Sequence, residues 1–399
     1  MKILIVHNNY GKYSGEEAVV DRFIAGYRGS GHDVKVFRRS SRDRRGNFWG
    51  NVHGFFSGMF SLSGVLKMRR ALKRFKPDLV HVHNLYPFIS PAALFPCRRA
   101  GVPVIMTVHN YRLVCPTGLF LRNNRPCEKC LERGTEWFCT LHNCEGSFVR
   151  SLGYTLRNII SRQTRSFLDC VTYFCCLTEF QRAKLIESGI PAEKIRVFPN
   201  YGDFSKRIDT EALKKEPPVT QFNHYVGYVG RLSKEKGYDL LLEVARRHPE
   251  IQFCFAGQMR ESDVFLYNLP NVVFTGLLNK EQLKNFYYYS RFIVVPSRCY
   301  EGFPLVVLEA AQYERPCIMP NHGPFPEIIK HEENRQYCLF NPLSVRDLER
   351  KVVTLWNNPQ LAEHIGVDAF EGAHLCYDEE VLSKKMEAFV QSVVSKKKK

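Results

Sequence analysis

Short apolar runs of strand length alternate with stretches of helical periodicity from one end of this chain to the other, and that alternation leaves few folds open. Apolar runs flanked by turn residues suit strands buried on both faces, and the 3.6-residue periodicity between them suits helices that cover a sheet. The expected strands fall at 2–7, 33–37, 79–82, 104–108, 171–177 and 196–198, and again at 225–229, 252–256, 272–275, 292–296, 317–319 and 337–340. Helical patterns fill the gaps, among them 238–247, 280–290 and 345–357. Such repetition predicts α/β architecture with parallel sheets. The strands divide equally about a polar, proline-containing stretch at 201–220. We therefore expect two doubly wound domains facing each other across a cleft, with ligands at the carboxyl ends of the strands. The first spans 1–200, a linker spans 201–220 and the second spans 221–378. A last helix and basic tail, 379–399, is a candidate to cross back to the first domain.

The length of 399 residues suits two domains with substantial cores. No segment has the length and apolar purity of a membrane-spanning helix. The start, Met1-Lys-Ile-Leu-Ile-Val-His-Asn8, is too short in its apolar run for a secretion signal and reads as a first strand, which places the chain in the cytoplasm. Charge is distributed unevenly. Residues 1–200 hold 31 Lys plus Arg against 14 Asp plus Glu, whereas 201–399 hold 26 of each. A basic half beside a neutral half points to an anionic surface or polymer, either membrane phospholipid or nucleic acid.

Two segments carry the chemistry. In Cys299-Tyr-Glu-Gly-Phe-Pro-Leu-Val-Val-Leu-Glu-Ala310, Glu301 falls in the loop that ends a buried strand, and Glu309 lies on the helix that follows. Gly302 and Phe303 would offer free backbone amides near the start of that helix, a ready anion site. Gly230-Arg-Leu-Ser-Lys-Glu-Lys-Gly237 likewise links a strand to a helix, and its Arg231 and Lys236 are two cations suited to a diphosphate. In the first half, Gly15 follows the loop after the first strand, where a glycine lets backbone approach a phosphate or sugar. Thr107-Val-His109-Asn110 puts His109 at the same rim, and His7, His81, His83 and Asn84 rank after it.

On these residues the chain resembles the family 4 glycosyltransferases, which share the GT-B architecture of two Rossmann-like domains. The matching features are Glu301/Glu309 with Gly302-Phe303, the Gly230-Arg231 to Lys236-Gly237 loop, Thr107-Val-His109, Pro199-Asn200 and Phe255-Ala-Gly257, and they run in the family's order along nearly the whole chain. The resemblance implies transfer of a sugar from a nucleotide-diphosphate donor with retention of anomeric configuration and with no cofactor or metal for catalysis. It implies that Arg231 and Lys236 neutralise the donor diphosphate and that Glu309 binds the ribose hydroxyls. Glu301 with the amides of Gly302 and Phe303 would hold the donor sugar, and His109 would touch it near the reacting carbon. Gly15 would lie under the phosphates or the acceptor, and Gly257 and Asn200 belong to the donor site by the same match. The first loop departs from the family's frequent paired glycines, since Glu16 follows Gly15, and Pro304 stands where glycine is common, which removes one amide donor.

Two features are left over. Cys115, Cys127, Cys130 and Cys144 lie in an insertion at 112–146, with Cys139 and His142 as alternates. Cys127 and Cys130 have the spacing of a zinc knuckle, so a structural four-thiolate zinc site is one reading, and reduced cysteines in a packed loop or a redox pair are the others. Residues 35–76 hold twelve basic residues and one acid, with Phe48, Trp49, Phe55, Phe56 and Phe60 interleaved. Val65, Met68, Leu72 and Phe75 then recur at helical spacing, which suits either an anionic membrane surface or a helix packed on the sheet. The reading that joins these is a peripheral enzyme at the inner membrane face, adding sugar to a lipid-linked or saccharide acceptor in the synthesis of capsule, lipopolysaccharide or another cell-surface polysaccharide. A GT-B sugar-nucleotide epimerase and a basic zinc-knuckle nucleic-acid-binding protein are the alternatives. No nucleic-acid partner is expected, because that reading leaves Arg231, Lys236, Glu301 and Glu309 without a role.

Overall fold

A computed structural model describes the chain except residues 10–13, 41–47, 210, 212–215, 218–220, 223, 260–267 and 399, and describes 48–53 and 397–398 by their backbone alone. Parts of the first loop, of the basic segment and of the 201–220 stretch therefore lie outside the described residues. Contacts group the chain into two units. One holds Met1–Phe120, Glu128–Asn200 and Leu382–Lys399, and the other holds Leu121–Cys127 and Tyr201–Val381. The insertion is thus split between the units, and most of the last helix, Glu379–Lys398, belongs with the first. Within that unit the Phe389 ring packs on Tyr173 at 5.3 Å and on Phe198 at 5.2 Å, and His32 Nε2 lies 2.8 Å from Glu387 Oε1.

Among the described residues fourteen strands are formed. In the first unit, β1 (Lys2–Asn9), β2 (Asp33–Ser40), β3 (Leu79–Asn84), β4 (Val104–Thr107), β7 (Tyr173–Cys176) and β8 (Ile195–Val197) make one parallel sheet in the order β2-β1-β3-β4-β7-β8. Between them, β5 (Leu121–Arg122) and β6 (Arg125–Pro126) form a small antiparallel hairpin in the insertion. In the second unit, β9 (Tyr225–Val229), β10 (Phe253–Ala256), β11 (Val272–Gly276), β12 (Ser290–Val294), β13 (Cys317–Pro320) and β14 (Leu339–Phe340) make a second parallel sheet in the order β11-β10-β9-β12-β13-β14. All six residues of β3 and all four of β10 are buried, as strands covered by helices on both faces must be.

Strand order decides where ligands can sit. The second sheet grows from β9 outward through β10 and β11, then restarts on the other side with β12. The loops leaving β9 and β12 therefore diverge to opposite faces and open a crevice at their carboxyl ends. Residues 230–237 and 297–303 are those two loops. The first sheet switches in the same way between β1 and β3.

Close packing of the second unit's loops depends on glycine at two places. Gly237 has φ 71°, and a Cβ there would lie 1.9 Å from the Pro296 carbonyl oxygen. Gly257 has φ 147°, and its Cβ would lie 1.8 Å from the Gly230 carbonyl oxygen. Behind these loops the helix Tyr238–Arg247 buries Leu241, Leu242 and Ala245 against Phe253, Phe255 and Phe292.

Candidate functional site

The loop after β12 carries Ser297, Arg298 and Glu301, and the loop after β9 carries Arg231, Glu235 and Lys236. They meet at one carboxylate. Lys236 Nζ donates to Glu301 Oε1 at 2.6 Å, and Ser297 Oγ donates to the same oxygen at 2.6 Å. Side-chain exposure is 15 % for Glu301 and 26 % for Lys236, so the pair is shielded without being sealed. Burial by itself would raise the Glu301 pKa, but the Lys236 ammonium and the Ser297 hydroxyl outweigh it and hold the carboxyl below its ordinary range. Lys236 behaves reciprocally: burial opposes its charge, and Glu301 more than restores it. Both groups are ionised at neutral pH.

Arg231 lies 3.4 Å from Glu235 Oε1 and adds positive potential at Glu301. Its carbonyl accepts from the Tyr228 hydroxyl at 2.6 Å, which ties the loop to β9. Arg298 joins the two loops from below, donating to the Lys234 carbonyl at 2.8 Å and to Asp239 Oδ2 at 2.9 Å. The structure thus brings together Arg231, Lys236 and Glu301 as the sequence predicted.

Gly302 and Phe303 are buried just before the helix Leu305–Gln312, whose cap is Pro304 without a side-chain cap. Glu309 sits within that helix, and its Oε2 accepts from the Tyr287 hydroxyl at 2.6 Å. Tyr287 is buried and its ring stacks on Tyr313 with centroids 5.7 Å apart. Gly257 lies against Gly230 at the ends of β10 and β9. His322, after β13, is bonded through Nε2 to the Ser297 carbonyl oxygen at 3.1 Å, and burial lowers its pKa. Three side chains here were missed. Ser297 was legible as a hydroxyl four residues before Glu301 at a strand end, whereas Tyr287 and His322 reach the site from other elements and leave no local signal.

In the first unit, Gly15 is the first residue of the helix Gly15–Gly29, capped by Ser14 without a side-chain bond, and Asn200 is buried beyond β8. His109 stands just past β4, and its Nε2 lies 2.9 Å from His83 Nδ1 on β3. His81 is bonded at both nitrogens, to the Tyr27 hydroxyl at 3.0 Å and to Thr107 Oγ1 at 2.8 Å. His7 is buried with its Nδ1 3.8 Å from Glu16 Oε1. Burial lowers all four histidines, His7 to about 4 and His81 and His109 to about 3, so this is a neutral cluster at physiological pH.

Among the described residues no three of the sulfurs of Cys115, Cys127, Cys130 and Cys144 lie within 4.8 Å of one another. Among the described residues the one group of three or more His, Cys, Asp or Glu side chains with ligand atoms within 4.8 Å of one another is His331, Glu333 and Asp368, with Glu333 68 % exposed. All fourteen cysteines are free thiols. Cys139 is raised by its hydrogen bond with Cys144 and then by burial. Other groups hold the insertion in place. Arg157, on the helix Phe148–Gln163, donates to the Pro116 carbonyl at 2.6 Å between the rings of Tyr86 and Tyr154. Asn158 donates to the Arg112 carbonyl at 2.8 Å, and Thr140 Oγ1 bonds Thr155 Oγ1 at 2.8 Å.

Comparison with known proteins agrees with this geometry. Residues 14–201 match the model of the glycosyl transferase 4-like domain, and residues 209–371 match that of glycosyl transferases group 1. The sulfoquinovosyl transferase SQD2 of Arabidopsis thaliana is 27 % identical over 307 residues, covering 75 % of this chain and 54 % of the plant protein. The alpha-galactosylglucosyldiacylglycerol synthase of Streptococcus pneumoniae is 24 % identical over 233 residues, covering 52 % of this chain and 62 % of that one. These two relatives are therefore matched over little more than half their length. An uncharacterized protein of the cps region of Klebsiella pneumoniae is 25 % identical over 316 residues, covering 76 % of this chain and 77 % of its own. Among solved structures, a sucrose-phosphate synthase from Thermosynechococcus elongatus superposes with TM-score 0.72 at 16 % identity, covering 99 % of both chains.

Proposed function

The chain belongs to the group 1 glycosyl transferases and has the two parallel-sheet domains of the GT-B fold, and from that premise we propose that it moves a sugar, with retention and without a catalytic metal, from a nucleotide-diphosphate donor to a lipid-linked saccharide. The observation that carries the reading is the Lys236–Glu301–Ser297 cluster at the switch point of the second sheet, with Arg231 beside it. Breaking an anomeric C–O bond leaves negative charge on the diphosphate and positive charge on the sugar ring. Arg231 and Lys236 answer the first charge, and the ionised Glu301 answers the second or holds the sugar's hydroxyls. A carboxylate already matched by Lys236 is a poor nucleophile. That favours front-face attack, in which the leaving phosphate oxygen takes the acceptor's proton, over a double displacement through Glu301. In the second unit Glu309 would take the ribose hydroxyls, with the amides of Gly302 and Phe303 on the sugar and Gly257 beside them, while Gly15, Asn200 and His109 keep the roles that the family resemblance implies.

Names among the relatives support a glycolipid or polysaccharide acceptor. They include the alpha-galactosylglucosyldiacylglycerol synthase, an O-antigen chain mannosyltransferase of Escherichia coli and the cps-region protein. The surface of the first unit supports an anionic membrane as the place of work. The helix Leu62–Phe75 buries Met68, Leu72 and Phe75 on the body of the unit, so its regular apolar stripe is core. Outside that core, Phe56, Phe60, Leu62 and Leu66 are exposed, and so are Lys67, Arg69, Arg70, Lys73 and Arg74. Aromatic and cationic groups exposed together suit a headgroup layer.

A thermal-shift screen of the purified chain against nucleotide-diphosphate sugars, with free UDP and GDP as controls, tests the reading. A donor at a hundred times its dissociation constant adds about 2.7 kcal/mol of stability, so one nucleotide class should raise the melting temperature. A folded protein that responds to none of them would overturn the proposal.

A further inference from the structure

We propose that His83 is a positioning residue: it donates from Nδ1 to Nε2 of His109 and so fixes His109 as the neutral tautomer that carries its proton on Nδ1. The two rings stack with an interplanar angle of 23° and centroids 5.2 Å apart, and the contact between them is 2.9 Å. One proton lies between the two nitrogens, and either ring can own it. If His109 owned it, His83 would have to carry its own proton on Nε2. That nitrogen is buried and has no hydrogen-bond partner among the described residues. Its neighbours explain why. The His81 ring, 4.2 Å away between centroids, has both nitrogens engaged by Tyr27 and Thr107, and the Phe23 ring at 5.3 Å offers no acceptor in its plane. A buried N–H without a partner is among the costliest polar defects, while a bare ring nitrogen asks for nothing it must have. The proton therefore belongs to His83 Nδ1, and His83 Nε2 is left bare. Shared cationic forms are disfavoured by the same burial, with His7, His81 and Arg38 adding further repulsion.

The consequence falls on His109. With Nε2 accepting from His83, its own proton sits on Nδ1, which has no partner among the described residues. His109 can then give a hydrogen bond to a sugar or phosphate oxygen, but it cannot take a proton there. It is a fixed donor rather than a general base, and what it donates to rests on the transferase reading above. Free imidazole in water prefers the other neutral tautomer, so this state must be imposed, and His83 imposes it.

The test uses the full chain labelled with 15N-histidine, observed by long-range 1H–15N correlation at neutral pH, with His109→Asn to identify the signal. We expect the pattern of an Nδ1-protonated ring for His109 in the native chain and in His83→Asn, whose amide N–H can replace the donor. In His83→Leu we expect the Nε2-protonated form to appear. In transfer assays His83→Leu should lower kcat about ten-fold, the value of one oriented hydrogen bond. The KM for donor should stay within about two-fold, and His83→Asn should recover most of kcat. An Nε2-protonated His109 in the native chain, or equal kcat in the Leu and Asn variants, would overturn the proposal. Absence of transfer with every nucleotide sugar would sink the functional reading alone, and the spectrum would then decide the role of His83 by itself.

Discussion

Glu301 keeps its charge because Lys236 and Ser297 grip one of its oxygens, and its behaviour towards acid follows from that grip. Its folded pKa lies below its ordinary value of 4.5. The stabilisation it draws from Lys236 is therefore complete above that value and disappears as pH falls through the folded one. Activity should hold down to pH below the ordinary carboxylate range. In Lys236→Met, burial is no longer opposed by the ammonium, so the acid limb of the kcat profile should move upward, and an unmoved limb would show that Glu301 is not the group titrating. Glu301→Gln or Lys236→Met should also lower transfer at least ~10²-fold at neutral pH with the fold retained, as loss of a charge contact made at the transition state does. Near-normal rates in either variant would remove the site. Tyr287 holds the other carboxylate, donating to Glu309 Oε2 at 2.6 Å. Tyr287→Phe should weaken nucleotide binding about ten-fold or more, the loss of one hydrogen bond to a charged group, and leave kcat alone. Calorimetric titration with UDP or GDP would read this directly.

At the scale of elements, Gly237 shows how a loop conformation becomes a functional requirement. It is left-handed at φ 71° and presses on the Pro296 carbonyl at the end of the neighbouring strand. Any side chain forces the loops after β9 and β12 apart, and those loops carry Lys236 and Glu301. Gly237→Ala should therefore cost more than about 2 kcal/mol, from backbone strain with the clash added. It should also reduce activity further than the neighbouring surface change Lys234→Ala, and equal behaviour of the two in thermal unfolding and assay would refute the argument. Elements of this kind were readable in the sequence because their cause is local. All twelve strands of the two parallel sheets were foreseen, though not the hairpin β5-β6, and the helices Tyr238–Arg247 and Val345–Asn357 have the bounds their periodicity gave. Arg231, Lys236 and Glu301 were foreseen because each lies in a loop at the end of a strand that its own apolar run marks, and β9 and β12 are neighbours in the sheet. Contacts between distant elements were not: Tyr287 on Glu309, His83 on His109, and Arg157 holding the insertion, for whose cysteines a zinc site was one of three readings. The stripe Met68, Leu72 and Phe75 could be core or membrane face from periodicity alone, and burial decides for core.

For the molecule as a whole, the uneven charge is the property most in need of a partner. All of the net charge of +17 lies in residues 1–200, since the 26 basic residues of 201–399 are cancelled by 26 acidic ones. A basic surface alone would bind any polyanion, and binding of that kind weakens steeply with salt. Exposed apolar side chains add a term that salt does not weaken, and the first unit shows both, with Phe56 at 63 % and Phe60 at 57 % exposure near a helix of uncovered lysines and arginines. A lipid surface satisfies the two together, whereas double-stranded nucleic acid, with its bases paired and stacked, satisfies only the first. The chain should therefore sediment with vesicles containing phosphatidylglycerol and stay in solution with phosphatidylcholine alone. Each nearby cation contributes about 1 kcal/mol to such binding, so Lys67→Glu with Arg70→Glu should weaken it by more than ten-fold at low salt. Phe56→Ser with Phe60→Ser should act differently: a modest loss at low salt and release of the remainder at 0.5 M salt, where the native chain is still partly retained. Vesicle binding that vanishes for the native chain at 0.5 M salt, and retention of nucleic acid through purification, would mean that the aromatic residues play no part and that the basic half serves a polyanion other than the membrane.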